Sequence, residues 1–223
     1  MKTISFVTSM LCALYCSTAS AVEIYDQFPA EINPEQRYVI YSHGFIVEGT
    51  NPTPVHPENG MYNFPDIVAQ LFAGGGFNLI AHHRPENTQL ELYASALAAW
   101  VQGLLAAGVQ PSQITLVGFS RGAHITAIVA NELRSTGIST ALMARCIDGD
   151  IPHEPALVLG GPLLSIYETT DTAGACATLA ERSDLVSFDE ISITTGRKHG
   201  AFYTPMAAWM NPLKDWINRT NHL

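Results

Sequence analysis

An α/β fold on a mostly parallel central sheet, flanked by helices, is predicted by three features of the sequence. Short runs rich in β-branched residues alternate along the chain with stretches of helical spacing. The runs are continuously apolar rather than alternating, which is the pattern of strands covered on both faces. No internal repeat, low-complexity tract or linker divides the chain, whose 223 residues suit one domain with a full core once an N-terminal leader is set aside.

That leader is Met1 to Ala21. Lys2, an apolar stretch from Ile4 to Tyr15 and the small residues Ala19-Ser20-Ala21 read as a secretory signal cleaved before Val22. Its apolar part is too short for an anchor, and no later run approaches the roughly 20 apolar residues that spanning requires. A single α/β domain from Val22 to Leu223, exported to the periplasm or secreted, is therefore expected, with no stable membrane anchor.

Arg37 to Ser42 reads as the first buried strand, followed at once by His43-Gly44-Phe45. Ile46 to Tyr62 is polar and rich in proline and asparagine, and long for a connection inside a compact domain, so it is a candidate wall of a binding site. Asn63 to Ala73 is a helix with Pro65 in its first turn, stopped by Gly74-Gly75-Gly76. Phe77 to His82 is a second strand. Thr88 to Ala107 is a helix whose apolar face carries Leu90, Tyr93, Ala94, Leu97, Val101, Leu104 and Leu105, closed by Gly108. Ile114 to Val117 is a third strand that passes straight into helical spacing at Ala123, Ala127, Ile128, Ala130 and Leu133. Later strands are expected at Thr140 to Ile147, Leu163 to Glu168 and Leu185 to Thr194. Asn211-Pro212 is expected to cap a last helix carrying Leu213, Trp216 and Ile217.

The chain carries a formal charge of −9; loss of Lys2 with the leader takes it to about −10. With no basic cluster to offset the acidic excess, nucleic-acid binding is disfavoured. Cys12 and Cys16 leave with the signal, so Cys146 and Cys176 remain as an even pair, most simply a disulfide in an exported protein.

Between the third strand and its helix lies Gly118-Phe119-Ser120-Arg121-Gly122, a G-x-S-x-G sequence. A strand that turns sharply into a helix brings neighbouring backbone into contact, which calls for glycine on both sides of the turn. The central side chain is left strained and exposed at the helix N-terminus, where a serine hydroxyl can attack an acyl carbon. In a parallel sheet functional groups gather past the carboxyl ends of strands, and the polar residues found there are few: His43, Ser120, Asp148, Asp150, Asp171 and His199.

A nucleophilic serine needs a base, and the base needs a carboxylate to orient it. Ser120, Asp171 and His199 supply these in the chain order expected for such an architecture, and His199 lies in a glycine-flanked loop between strand and helix. Glu168 and Asp148 are alternative acids. His43 is the rival base, yet a histidine followed by glycine directly after a strand also shapes an oxyanion loop. The N–H groups of Phe45, or Gly44, and of Arg121 would then bind the oxyanion, with His43 and Gly44 supporting that loop. His124, four residues after Ser120, suits a packing role on the same helical face. His56, His82, His83 and His153 match no recognised ligand spacing, so no metal is expected.

These residues together resemble the α/β-hydrolase superfamily. The resemblance runs from about Arg37 to Trp216 and rests on Tyr41 to Phe45, Gly118 to Gly122, Asp171 and His199-Gly200. It implies a small, exported, esterase-like serine hydrolase with a Ser-His-Asp triad, no cofactor and a small-molecule ester as substrate. The stretch from Asp148 to Pro162 is short where many members carry a large cap, which implies an open site and a modest acyl group. The same triad would also serve an acyltransferase or peptidase, and the fold hosts non-catalytic binding proteins. Nothing in the sequence selects an oligomeric state.

Overall fold

The computed structural model describes residues 21–147 and 157–220. Asp148, Asp150 and His153, the start of the expected cap-less segment, and Met1 to Ser20 lie outside them. In chain order the elements are β1 (Ile24–Tyr25), β2 (Tyr38–Ser42), β3 (Val55–His56), β4 (Gly60–Met61), α1 (Phe64–Phe72), β5 (Asn78–Ile80), α2 (Leu90–Ala106), β6 (Ile114–Phe119), α3 (Arg121–Glu132), β7 (Ser139–Met143), β8 (Gly160–Glu168), α4 (Ala177–Glu181), β9 (Asp184–Ile193) and α5 (Ala207–Thr220). Short 3-10 turns cover Phe45–Val47 and Lys198–Phe202.

Seven strands form one sheet in the order β1-β5-β2-β6-β7-β8-β9, and each neighbouring pair is parallel. Such a sheet buries both faces, and the side-chain period of two divides its residues between two cores. Val39 and Tyr41 of β2 join Val117 and Phe119 of β6 under α1 and α5, where Ile67, Leu71, Leu213 and Trp216 pack. Tyr38 and Ile40 join Ile114 and Leu116 on the opposite face, against Leu97 and Val101 of α2 and Val129 of α3. A one-residue slip of β2 would exchange the two sets, so its register is fixed.

The sheet order places the site. β2 pairs with β5 on one edge and β6 on the other, so successive connections leave β2 in opposite directions. The crevice this opens at the carboxyl ends of the strands is where parallel sheets bind ligands. His43 follows β2 there, and Ser120 follows β6.

Two boundaries differ most from expectation. α5 begins at Ala207, so Asn211 and Pro212 lie inside it rather than capping it. Trp209 and Met210 are buried, and Trp209 Nε1–H donates to the carbonyls of Ala201 and Thr204, which draws an extra turn into the helix. Pro212 forfeits only the hydrogen bond to Ala208, an exposed residue, where water can serve the carbonyl. β7 ends at Met143 instead of Ile147 because Ala144 turns into the left-handed region at φ 48°. The chain then reaches Cys146, which is bonded to Cys176 with Cα atoms 5.2 Å apart across 30 residues. Four short elements have no counterpart in the sequence pattern: the edge strand β1, the hairpin strands β3 and β4, and α4.

The disulfide closes a loop that contains Asp171. Replacing Cys146 and Cys176 together by alanine is expected to lower unfolding free energy by about 3–4 kcal/mol, chiefly by freeing the unfolded chain. A urea titration of the oxidised protein and the double variant reads this directly.

Candidate active site

Glycines at positions 118 and 122 let β6 turn into α3. A Cβ on Gly118 would lie 2.5 Å from both the Gly122 carbonyl oxygen and Thr126 Oγ1. One on Gly122 would overlap the carbonyls of Ser42 and His43 at the end of β2. The turn between them holds Ser120 at φ 53°, ψ −121°. That is a region L-residues avoid, at a cost of order 1–3 kcal/mol. Its N–H donates to Met143 O at 3.0 Å, and its carbonyl accepts from His124 N–H at 3.0 Å, so neighbouring structure holds the strain in place.

His199 arrives on the 3-10 turn after β9, with Lys198 before it at φ 49°. Its Nε2 lies 2.9 Å from Ser120 Oγ and its Nδ1 2.7 Å from Asp171 Oδ2. The Phe119 ring packs 4.8 Å from the imidazole. Asp171 follows β8 by three residues; its N–H donates to Glu168 O at 3.0 Å, and its Oδ1 accepts from Thr172 N–H at 2.8 Å. Its side chain is only 4 % exposed against 28 % for His199. With the carboxylate accepting from Nδ1–H, the Nε2 lone pair faces the serine hydroxyl. This row can take a proton from Ser120 and return it.

Glu168, an alternative acid at the sequence level, does not face His199. Fully buried, it joins the two loops that carry Asp171 and His199. Oε2 accepts from the N–H and hydroxyl of Thr170, and Oε1 accepts from Thr195 N–H at 2.8 Å and Gly196 N–H at 3.0 Å. Burial alone would push the carboxyl up, but the hydrogen bonds from Thr170, Thr195 and Gly196 outweigh it and hold the pKa down at about 2. Because the folded value lies below the ordinary one, its stabilisation is complete above about pH 4.5 and is lost as pH falls toward 2. Glu168→Gln would aim an N–H₂ at one set of these donors. The expected cost is about 3 kcal/mol at pH 7, together with a flatter acid limb in a plot of unfolding free energy against pH.

His43 is also ruled out as base by its surroundings. Its Nε2 accepts from Arg84 N–H at 2.9 Å and its Nδ1 lies 2.8 Å from Gly44 O, so the ring is neutral with its proton on Nδ1. Burial, with the Arg84 charge second, pushes its pKa well below the ordinary range. Arg84, itself fully buried, also donates through Nη2 to His43 O and pairs with Glu48 at 3.2 Å. Glu48 pairs with Arg121 at 3.0 Å, and Arg121 donates to Thr88 O at 2.7 Å. The Gly44-Phe45 loop and the start of α3 are thereby braced together. The Phe45 ring, 63 % exposed, covers the Arg121 guanidinium at 5.3 Å.

Ser120, Asp171 and His199 open onto a cleft of about 350 Å³, lined further by Gly44, Phe45, Ile46, His56, Asn59, Phe119, Thr172 and Tyr203. The long Ile46–Tyr62 segment forms part of its wall, carrying the small hairpin β3–β4. Tyr203, Asn59 and Thr172, and the Arg84–Glu48 pair, were not singled out from sequence. His82, His83 and His56 instead bond Tyr93, Val47 and local backbone. Among the described residues no three His, Cys, Asp or Glu side chains converge on a metal position.

No protein-family model and no curated protein sequence matches the chain. Solved structures do. It resembles SOBER1 of Arabidopsis thaliana at 15% identity and a TM-score of 0.56, over 82% of this chain and 98% of that one. It resembles an esterase/lipase from an uncultured bacterium at 10% identity and a TM-score of 0.60, over 85% and 78%. It also resembles an esterase from the fungus Rhizomucor miehei at 14% identity and a TM-score of 0.56, over 84% and 75%. The protein has the α/β-hydrolase fold.

Proposed function

We propose that the protein is an exported serine hydrolase that cleaves carboxylic esters of small or medium acyl groups. The observation that carries this is the unbroken row Asp171–His199–Ser120, ending on a strained serine that faces an open cleft. Ser120 Oγ attacks the ester carbonyl as His199 Nε2 takes its proton, and Asp171 stabilises the imidazolium that forms. The N–H groups of Phe45 and Arg121 bind the tetrahedral oxyanion. Collapse breaks the bond to the alcohol oxygen, which leaves with the proton from His199. A water activated by the same imidazole then releases the acid and restores the serine. The names of the similar esterases support this reading, and the Cys146–Cys176 disulfide supports an oxidising compartment.

Incubation with p-nitrophenyl acetate tests the activity. The expected products are equal amounts of nitrophenolate and acetate, with methanol diverting part of the acyl group to methyl acetate. No turnover by folded protein contradicts the proposal.

A further inference from the structure

His56 brings an unused donor to the cleft. Its Nδ1 accepts from the N–H groups of Glu58 and Asn59 at 3.2 Å each, so the ring proton sits on Nε2, which has no partner among the described residues. The ring stands edge-on to Tyr203 at 6.4 Å, and Tyr203 stands edge-on to His199 at 6.4 Å. Asn59 and Tyr203 line the same cleft. The hairpin turn is seated against the base loop itself: a Cβ on Gly200 would lie 2.7 Å from Asn59 O and 3.1 Å from its Cα. His56, Asn59 and Tyr203 therefore make a polar wall beside His199.

General-acid catalysis fixes what faces this wall. The leaving oxygen has to come within hydrogen-bond reach of His199 Nε2, so the alcohol half of an ester lies on the His199 side of the cleft. A hydrocarbon alcohol there would strip water from the His56 N–H and the Tyr203 hydroxyl and return nothing. Hydroxyls on carbons next to the ester oxygen would replace that water. Past Asn59 the polar surface continues into a second cleft of about 390 Å³, lined by Glu58, Gly60, Gly196, Arg197 and Lys198. We propose that the alcohol half of the substrate is polyhydroxylated, as in an acylated sugar, and that His56 and Tyr203 select it. This rests on the hydrolase reading above.

The test compares methyl 3-O-acetyl-glucopyranoside, which has hydroxyls on both carbons beside the ester-bearing one, with cyclohexyl acetate; the two share the acyl group and a six-membered ring. Wild-type kcat/KM is expected to favour the sugar acetate by about tenfold or more, and Tyr203→Phe and His56→Phe each to cut that preference about fivefold. Tyr203→Phe keeps the ring, and the wild-type ratio requires no variant at all. Hydrolysis of p-nitrophenyl acetate without discrimination between the two alcohols, or variants that keep the full preference, would overturn this inference alone. No turnover of any of the three esters would overturn it together with the hydrolase reading.

Discussion

Ser120→Ala is expected to reduce ester turnover by about 10³- to 10⁶-fold, the range seen when a residue acting as one unit with its neighbours is removed. The cleft and the proposed oxyanion donors remain, so residual activity above the uncatalysed rate is expected to persist. The same position gives a stability readout that separates strain from chemistry. Alanine keeps a Cβ at φ 53°, so its unfolding free energy should stay close to wild type. Ser120→Gly releases the strain and is expected to raise stability by about 1 kcal/mol or more. Thermal melts of the three proteins measure this, and a less stable glycine variant would count against a strained elbow.

Asp171→Asn is expected to lower kcat by about 10³- to 10⁴-fold, for a reason visible in the local hydrogen bonds. Oδ1 of Asp171 accepts from Thr172 N–H at 2.8 Å, while Oδ2 faces His199. In the amide, the oxygen satisfies Thr172 and the N–H₂ group is left facing Nδ1. That selects the tautomer with the proton on Nε2, which cannot accept from Ser120. Steady-state kinetics with p-nitrophenyl acetate reads the loss, and circular dichroism confirms the fold. A loss below about tenfold would shift the acid's role away from Asp171.

What was legible in the sequence is what local pattern encodes. Continuous apolar runs such as Tyr38 to Tyr41 and Ile114 to Val117 marked strands buried on both faces, and the glycines around Ser120 marked a turn without room for a side chain. Asp171 and His199 stood out because they follow strands, and parallel pairing carries all strand ends to one edge. The residues missed depend on closure in three dimensions. Arg84 stands in the polar run His82 to Glu86 and looks solvated, yet it is fully buried between His43 and Glu48. His56 and Asn59 sit on a hairpin with two-residue strands, too short to leave a periodic signal. Tyr203 reaches the cleft through packing on Tyr62 and Phe119, residues distant in sequence. Glu168 lies at a strand end, where an acid is also expected, and only the loop conformations show both of its oxygens occupied.

The central claim, that Ser120 is an activated nucleophile, is tested most directly by reacting folded protein with a fluorophosphonate probe and weighing the intact chain. One adduct per chain, mapped to Ser120 by peptide sequencing and absent from Ser120→Ala, is the predicted result. Folded wild-type protein that takes up no probe, or carries it on another residue, would contradict it.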